Sequence, residues 1–215
     1  MRKLILTVAL VSLFGSFIAN ADEAAGKLRE GAYLNKLFES TYNYTGNKDA
    51  QIVVFEFFDY NCPDCKAVTP NVLKLAAQDK DVKFVFIDYP KLGEVSTYAA
   101  KVAVAASLQG KYNEVHEALI SHDGKLTSEE QVLDTIKNLG LNMDQLKKDI
   151  DSDKVNMILF NNLITGTNQS IKFIPAFLIG YAKEPHNARI FFDDDNDDAK
   201  VVQKNIEDYM VNLKK

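Results

Sequence analysis

The 215-residue chain is 47% apolar and 10% aromatic, enough for one sizeable hydrophobic core and too much for a disordered tail. Its formal net charge of −5 argues against nucleic acid or an anionic membrane surface as a partner. Its only two cysteines stand three positions apart, which excludes a disulfide-stapled scaffold. A bridge across so short a loop takes little entropy from the unfolded chain.

The chain opens on a targeting pattern. Arg2 and Lys3 precede an almost wholly apolar run from Leu4 to Ile18, and Ala19-Asn20-Ala21 supplies a small-x-small cleavage site. The run is 15 residues long, short of the roughly 20 needed to span a bilayer. Residues 1–21 therefore read as a signal peptide, which places the protein outside the cytoplasm, in an oxidising compartment. Residues 22–42 are a mixed, polar extension, with a hint of a short helix at Leu34, Leu37 and Phe38.

A domain follows over 43–215. Residues 52–58 are apolar but for one acid, Glu56, the signature of a strand buried on both faces. Asp59 to Pro63 is a turn, and a helix follows to about Gln78, with Val68, Val72, Leu75 and Ala76 along one face. Residues 82–87 read as a second buried strand, and a right-handed crossover makes the two parallel. From 94 to 165 the pattern is helical. Ser96 is expected to cap a helix from Thr97 to Leu108, and Lys111–Ile120 is the next. Thr127-Ser128-Glu129-Glu130 opens another that stops at Gly140, and Asn142 caps a last one. Ala176–Gly180 and Arg189–Phe192 are expected to pair around a turn containing Pro185 and to complete the sheet. An amphipathic helix with Val202, Ile206, Tyr209 and Leu213 on one stripe ends the chain.

Chemistry concentrates at Cys62-Pro63-Asp64-Cys65, directly after the first buried strand and at the start of a helix. A helix N-terminus offers unpaired amides and a partial positive charge, and both favour a thiolate on Cys62. The thiolate is the attacking species in disulfide exchange. Cys65, one turn on, is placed to resolve a mixed disulfide, and Cys62, at the mouth of the helix, is expected to be exposed and Cys65 buried. Pro63 has no amide hydrogen to waste in the first turn. A structural zinc site would need four ligands, and the three histidines show no ligand spacing, so no metal is expected. An inert pair and a copper(I) site are the other readings of two thiols.

The stretch from Phe55 through Asp59-Tyr60-Asn61-Cys62-Pro63-Asp64-Cys65-Lys66 to Pro70 resembles the active-site segment of the thioredoxin superfamily, and most closely its DsbA-like exported branch. Tyr89-Pro90-Lys91-Leu92-Gly93, Gly110-Lys111-Tyr112 and Ile174-Pro175-Ala176-Phe177 resemble further segments of that branch, so the likeness covers roughly residues 44–213. It implies an α/β fold, a thioredoxin-like domain interrupted by a helical insertion at about 94–165. It implies that Cys62 is the nucleophile and Cys65 the resolving thiol, joined in a redox-active disulfide. It further implies that Pro175 is cis, with the backbone of Ile174 beside Cys62 and open to an extended substrate, and that Glu56 relays the proton of Cys65. Pro63, Asp64, Ile174 and Pro175 would touch substrate.

The activity so implied is disulfide exchange with exported proteins bearing thiols or disulfides, most simply dithiol oxidation. A membrane redox partner would restore the pair, with no bound cofactor, in a bacterial periplasm or cell envelope, by a monomer or dimer. A reductase or isomerase of the same superfamily and a non-enzymatic peptide-binding chaperone or surface protein are the alternatives. Two departures stand out. Asp64 replaces the histidine or tyrosine common in this branch, and its charge opposes a thiolate. Phe173-Ile174 replaces the frequent Gly-Thr, which makes the loop bulkier and more apolar. The run Asp193–Asp198 lacks the glycine and closing Glu of an EF-hand loop and reads as a solvated acidic turn.

Overall fold

The computed structural model describes residues 43–192 and 199–213. The expected signal peptide, the extension over 22–42 and the acidic turn at 193–198 lie outside the described residues.

Five strands form one mixed sheet. They are β1 (Tyr44–Gly46), β2 (Ile52–Phe58), β3 (Val82–Asp88), β4 (Ala176–Tyr181) and β5 (Glu184–Phe192), in the spatial order β1-β3-β2-β4-β5. Strands β2 and β3 are parallel in the register Glu56↔Phe86 and Phe58↔Asp88, and the remaining neighbours are antiparallel. Every residue of β2 and β3 is buried, as their nearly unbroken apolar runs require of strands covered on both faces. Helix α1 (Pro63–Gln78) crosses from β2 to β3 and contains Pro70. Five helices follow in the insertion: α2 (Glu94–Ser107), α3 (Tyr112–Ile120), α4 (Glu129–Ile136), α5 (Met143–Asp149) and α6 (Asp153–Asn168). The last helix, α7 (Ala199–Leu213), packs against α1.

The helical insertion differs in detail from the expectation. Ser96 does not cap α2. It lies buried inside the first turns, and the cap is Gly93, whose φ of 115° lies in the region that glycine tolerates best. The helix opened by Ser128 ends at Ile136, short of Gly140. The helix capped by Asn142 ends at Asp149, and Ser152 caps a separate one by accepting from the Val155 amide. Two serine or asparagine caps in close succession mark two helix starts, where one was expected. Pro185 lies within β5, while the β4–β5 turn is at residues 182–183. Strand β5 is an edge strand, where a missing amide hydrogen breaks no inner ladder.

Candidate active site

The loop from Asp59 to Cys62 carries the chain from the end of β2 into α1. Cys62 takes the cap position: its carbonyl accepts from the Lys66 amide at 3.1 Å, and its sulfur accepts from the Cys65 amide at 3.2 Å. Both cysteines are free thiols. The Cys62 thiol faces the carbonyl of Ile174 at 3.6 Å, across from the cis Ile174–Pro175 bond. Cys65 is wholly buried and Cys62 is 3% exposed. The burial of Cys65 is as expected, but Cys62 is buried where an exposed thiol was expected, because its sulfur lies against the Ile174 carbonyl. Pro63 and Asp64 are exposed beside it.

The two thiols are electrostatically unlike. Hydrogen bonding from the Cys65 thiol, helped by the amides of Cys65 and Asp64, holds the Cys62 pKa below the usual thiol value, against burial and the Asp64 carboxylate. Burial and the neighbouring Cys62 sulfur push the Cys65 pKa well up. One sulfur is poised to ionise and the other to keep its proton.

Glu56 sits in the middle of β2, buried, on the sheet face that α1 covers, where the Thr69 hydroxyl donates to one of its oxygens. Its other oxygen has no protein partner. Burial raises its pKa to about 8, so it holds a proton at neutral pH. Once ionised, above that pH, Glu56 opposes ionisation of Cys65. The structure thus brings together Cys62, Cys65, Ile174 and Pro175, with Glu56 below and Pro63 and Asp64 on the rim.

Two further residues of the loop escaped the sequence reading. The buried Asp59 carboxylate accepts three backbone amides, those of Asn61 (2.7 Å), Lys91 (2.8 Å) and Leu92 (2.9 Å). Asn61 clasps the backbone of Leu126, donating to its carbonyl at 3.1 Å and accepting from its amide at 2.8 Å. The cysteine loop is therefore tied to the 89–93 segment and to the insertion. Lys91 also donates to the Lys172 carbonyl at 2.9 Å, joining the segments that carry Leu92 and Phe173, both nearly half exposed. Deeper in, Tyr60 meets His116 at 3.2 Å, and Tyr112 donates to Asp88 at 2.8 Å. His116 stacks on Phe86, and burial lowers its pKa to about 3, so this ring is a neutral packing element. Among the described residues no cluster of His, Cys, Asp or Glu converges to hold a metal ion.

The thioredoxin family model matches residues 39–207. The thiol:disulfide interchange protein DsbA of Pseudomonas syringae pv. tomato is 30% identical over 159 residues, 71% of each chain. A Na(+)/H(+) antiporter, NhaA 1 of Salinispora arenicola, is 28% identical over 138 residues, 62% of this chain. The chain spans only 21% of that antiporter's length. Among solved structures, the thiol-disulfide exchange protein alpha-DsbA2 of Wolbachia pipientis superposes with a TM-score of 0.70 at 28% identity, over 88% of this chain and 98% of its own. With the paired cysteines at the head of α1 and the helical insertion between β3 and β4, the chain belongs to the thioredoxin family, among its DsbA-like members.

Proposed function

We propose that the protein is a thiol–disulfide oxidoreductase that oxidises dithiols in exported proteins, with Cys62 as nucleophile and Cys65 as resolving thiol. The observation that carries this reading is the opposite shift of the two thiols at one helix N-terminus, with the Cys62 thiol facing the Ile174 carbonyl. In the oxidised protein a substrate thiolate attacks the sulfur of Cys62 and the Cys62–Cys65 bond breaks. Cys65 leaves as a thiolate and takes a proton, for which Glu56, buried and protonated at neutral pH, is the candidate donor. A second substrate thiolate then attacks the substrate sulfur of the mixed disulfide, and Cys62 leaves as a stabilised thiolate. The substrate loses two electrons and the protein gains them. A membrane redox partner removes them again.

Substrate contact falls on Ile174, Pro175, Pro63 and Asp64. The exposed apolar side chains of Leu92 and Phe173 are further candidates for that contact, and an extended segment pairs with the Ile174 backbone, as in strand addition. The apolar run at the start of the chain supports export to a bacterial periplasm or envelope. No helix among the described residues is long and apolar enough to cross a membrane. A reductase or isomerase is the second reading, and Asp64 favours it, because its carboxylate works against the Cys62 thiolate.

The test uses the oxidised protein and a reduced, unfolded protein that needs disulfides. Wild type should form them stoichiometrically and Cys62→Ser should form none. Failure of the oxidised wild type, together with catalysis of disulfide reduction by the reduced form, would assign the second reading.

A further inference from the structure

Asp59 is buried, 2% exposed, where β2 gives way to the cysteine loop. Its side chain takes main-chain amides on both oxygens: Asn61 on one, and Lys91 and Leu92 on the other, at 2.7–2.9 Å. These are the lengths of charge-assisted bonds, and they offset the cost of burying a carboxylate. The backbone of Asp59 meets both cysteines. Its carbonyl accepts from the Cys62 amide at 3.1 Å. It also hydrogen-bonds to the Cys65 sulfur in the sense that lowers the Cys65 pKa, so the group involved is a donor, the Asp59 amide. The same carboxylate reaches the far wall of the site through the 89–92 segment. Lys91 donates from its Nζ to the Lys172 carbonyl at 2.9 Å, and the Tyr89 hydroxyl donates to the Ile171 carbonyl at 3.5 Å. Two residues beyond Lys172 is Ile174, whose carbonyl faces the Cys62 thiol.

We propose that Asp59 is the positioning residue of disulfide exchange: its side chain fixes its own backbone so that the amide meets the departing Cys65 sulfur and the carbonyl holds Cys62 at the helix mouth. The inference rests on the roles given above to the two cysteines. When an incoming thiolate bonds to the Cys62 sulfur, the Cys62–Cys65 bond breaks and its electron pair leaves on Cys65. That charge meets the Asp59 amide before Cys65 gains its proton. A donor fixed in advance needs no reorganisation at that moment, which makes Cys65 the better leaving group. Only a carboxylate offers acceptors alone on both arms of so short a side chain. An asparagine would turn one arm into a donor facing an amide.

Two variants separate position from charge. Asp59→Asn keeps the shape and removes the charge, while Asp59→Glu keeps the charge and moves both oxygens by one methylene. Two readouts serve: the pH dependence of Cys62 alkylation in the reduced protein, and the rate at which the oxidised protein forms a mixed disulfide with glutathione, quenched in acid and located by peptide mass. Both variants should raise the Cys62 pKa and slow mixed-disulfide formation about tenfold or more, the scale of one lost hydrogen bond to a charged group. A carboxylate acting by charge alone would oppose both thiolates. Asp59→Asn would then lower the Cys62 pKa and speed the exchange, and Asp59→Glu would change neither. Either result overturns the proposal. A third measurement needs no change at Asp59. In Cys65→Ala the Asp59 amide proton should move upfield, having lost its sulfur partner, and an unmoved resonance overturns the proposal even where neither Asp59 variant folds. A wild type whose glutathione adduct forms on Cys65 would overturn the cysteine roles and this inference together, whereas the results on the variants bear on this inference alone.

Discussion

At the scale of single residues, the chemistry turns on which sulfur ionises. Asp64 is exposed at the first turn of α1, and its charge is one of the two influences that raise the Cys62 pKa. Replacing it with histidine removes that opposition and adds a donor. Asp64→His should lower the Cys62 pKa, stabilise the reduced form and move the potential towards oxidising. One pKa unit is about 1.4 kcal/mol, or about 30 mV for a two-electron couple, so a few tens of millivolts is the expected scale. A glutathione titration beside a thiolate absorbance titration measures both, and no change in either would remove charge at this position from the mechanism. Glu56 makes a prediction about pH. Its carboxyl releases its proton near 4.5 when unfolded and near 8 when folded. Between those values only the folded protein holds the proton, so stability falls as pH rises through that window and levels off above it. Glu56→Gln cannot ionise, and its stability relative to wild type should rise by a few kcal/mol at most between about pH 5 and pH 8. Asp88, raised to about 7 by burial, adds a slope of the same sign in both proteins and cancels in the comparison. Urea midpoints at several pH values measure the difference, and parallel curves would show that Glu56 is not buried as a neutral acid.

At the scale of elements, the loop that holds Cys62 is fastened to distant parts of the chain. Leu126 is fully buried, and its amide and carbonyl both rely on the side chain of Asn61. Asn61→Ala leaves both unpaired and should cost about 2–4 kcal/mol. It should also free the cysteine loop from the insertion, seen as faster hydrogen exchange around residues 59–62 and 126. Loss of stability without faster exchange at the loop would separate the bond from the positioning of Cys62. These ties were also the hardest part of the site to read in the sequence. Cys62, Cys65, Glu56 and the strand before them are legible because their signals are local: an apolar run, one acid inside it and a helix start. Asp59 and Asn61 look like ordinary turn formers. Their partners stand 32 and 65 positions away, and no spacing rule reaches so far. The cap of α2 failed for a related reason. Ser96 has the chemistry of a cap, but Gly93, with a backbone angle that other residues rarely adopt, is where the chain turns.

At the scale of the whole domain, the sheet and the insertion share one apolar core. Val54, Phe58, Cys65 and Phe86 pack in the same cluster as Val104, Leu119, Leu126 and Leu159. The insertion was legible as a block of helices, but its number of helices was not, since the break at residues 150–152 lies within continuous helical periodicity. With a shared core the insertion should not unfold by itself. Thermal unfolding followed by far-ultraviolet and near-ultraviolet circular dichroism should give coincident transitions. Two separated transitions would mean that the insertion is an independent unit.

The arrangement of the sheet also bears on what the protein can safely meet. A strand left at the margin of a sheet is a template on which a foreign chain can zip up, the first step towards amyloid-like growth. One margin here is β1, only three residues long, and the other is β5, which carries Pro185. Proline cannot donate to a new ladder, and three residues are too few to seed one. Both margins of this sheet are thus blunted against the lasting association that unfolded chains are prone to.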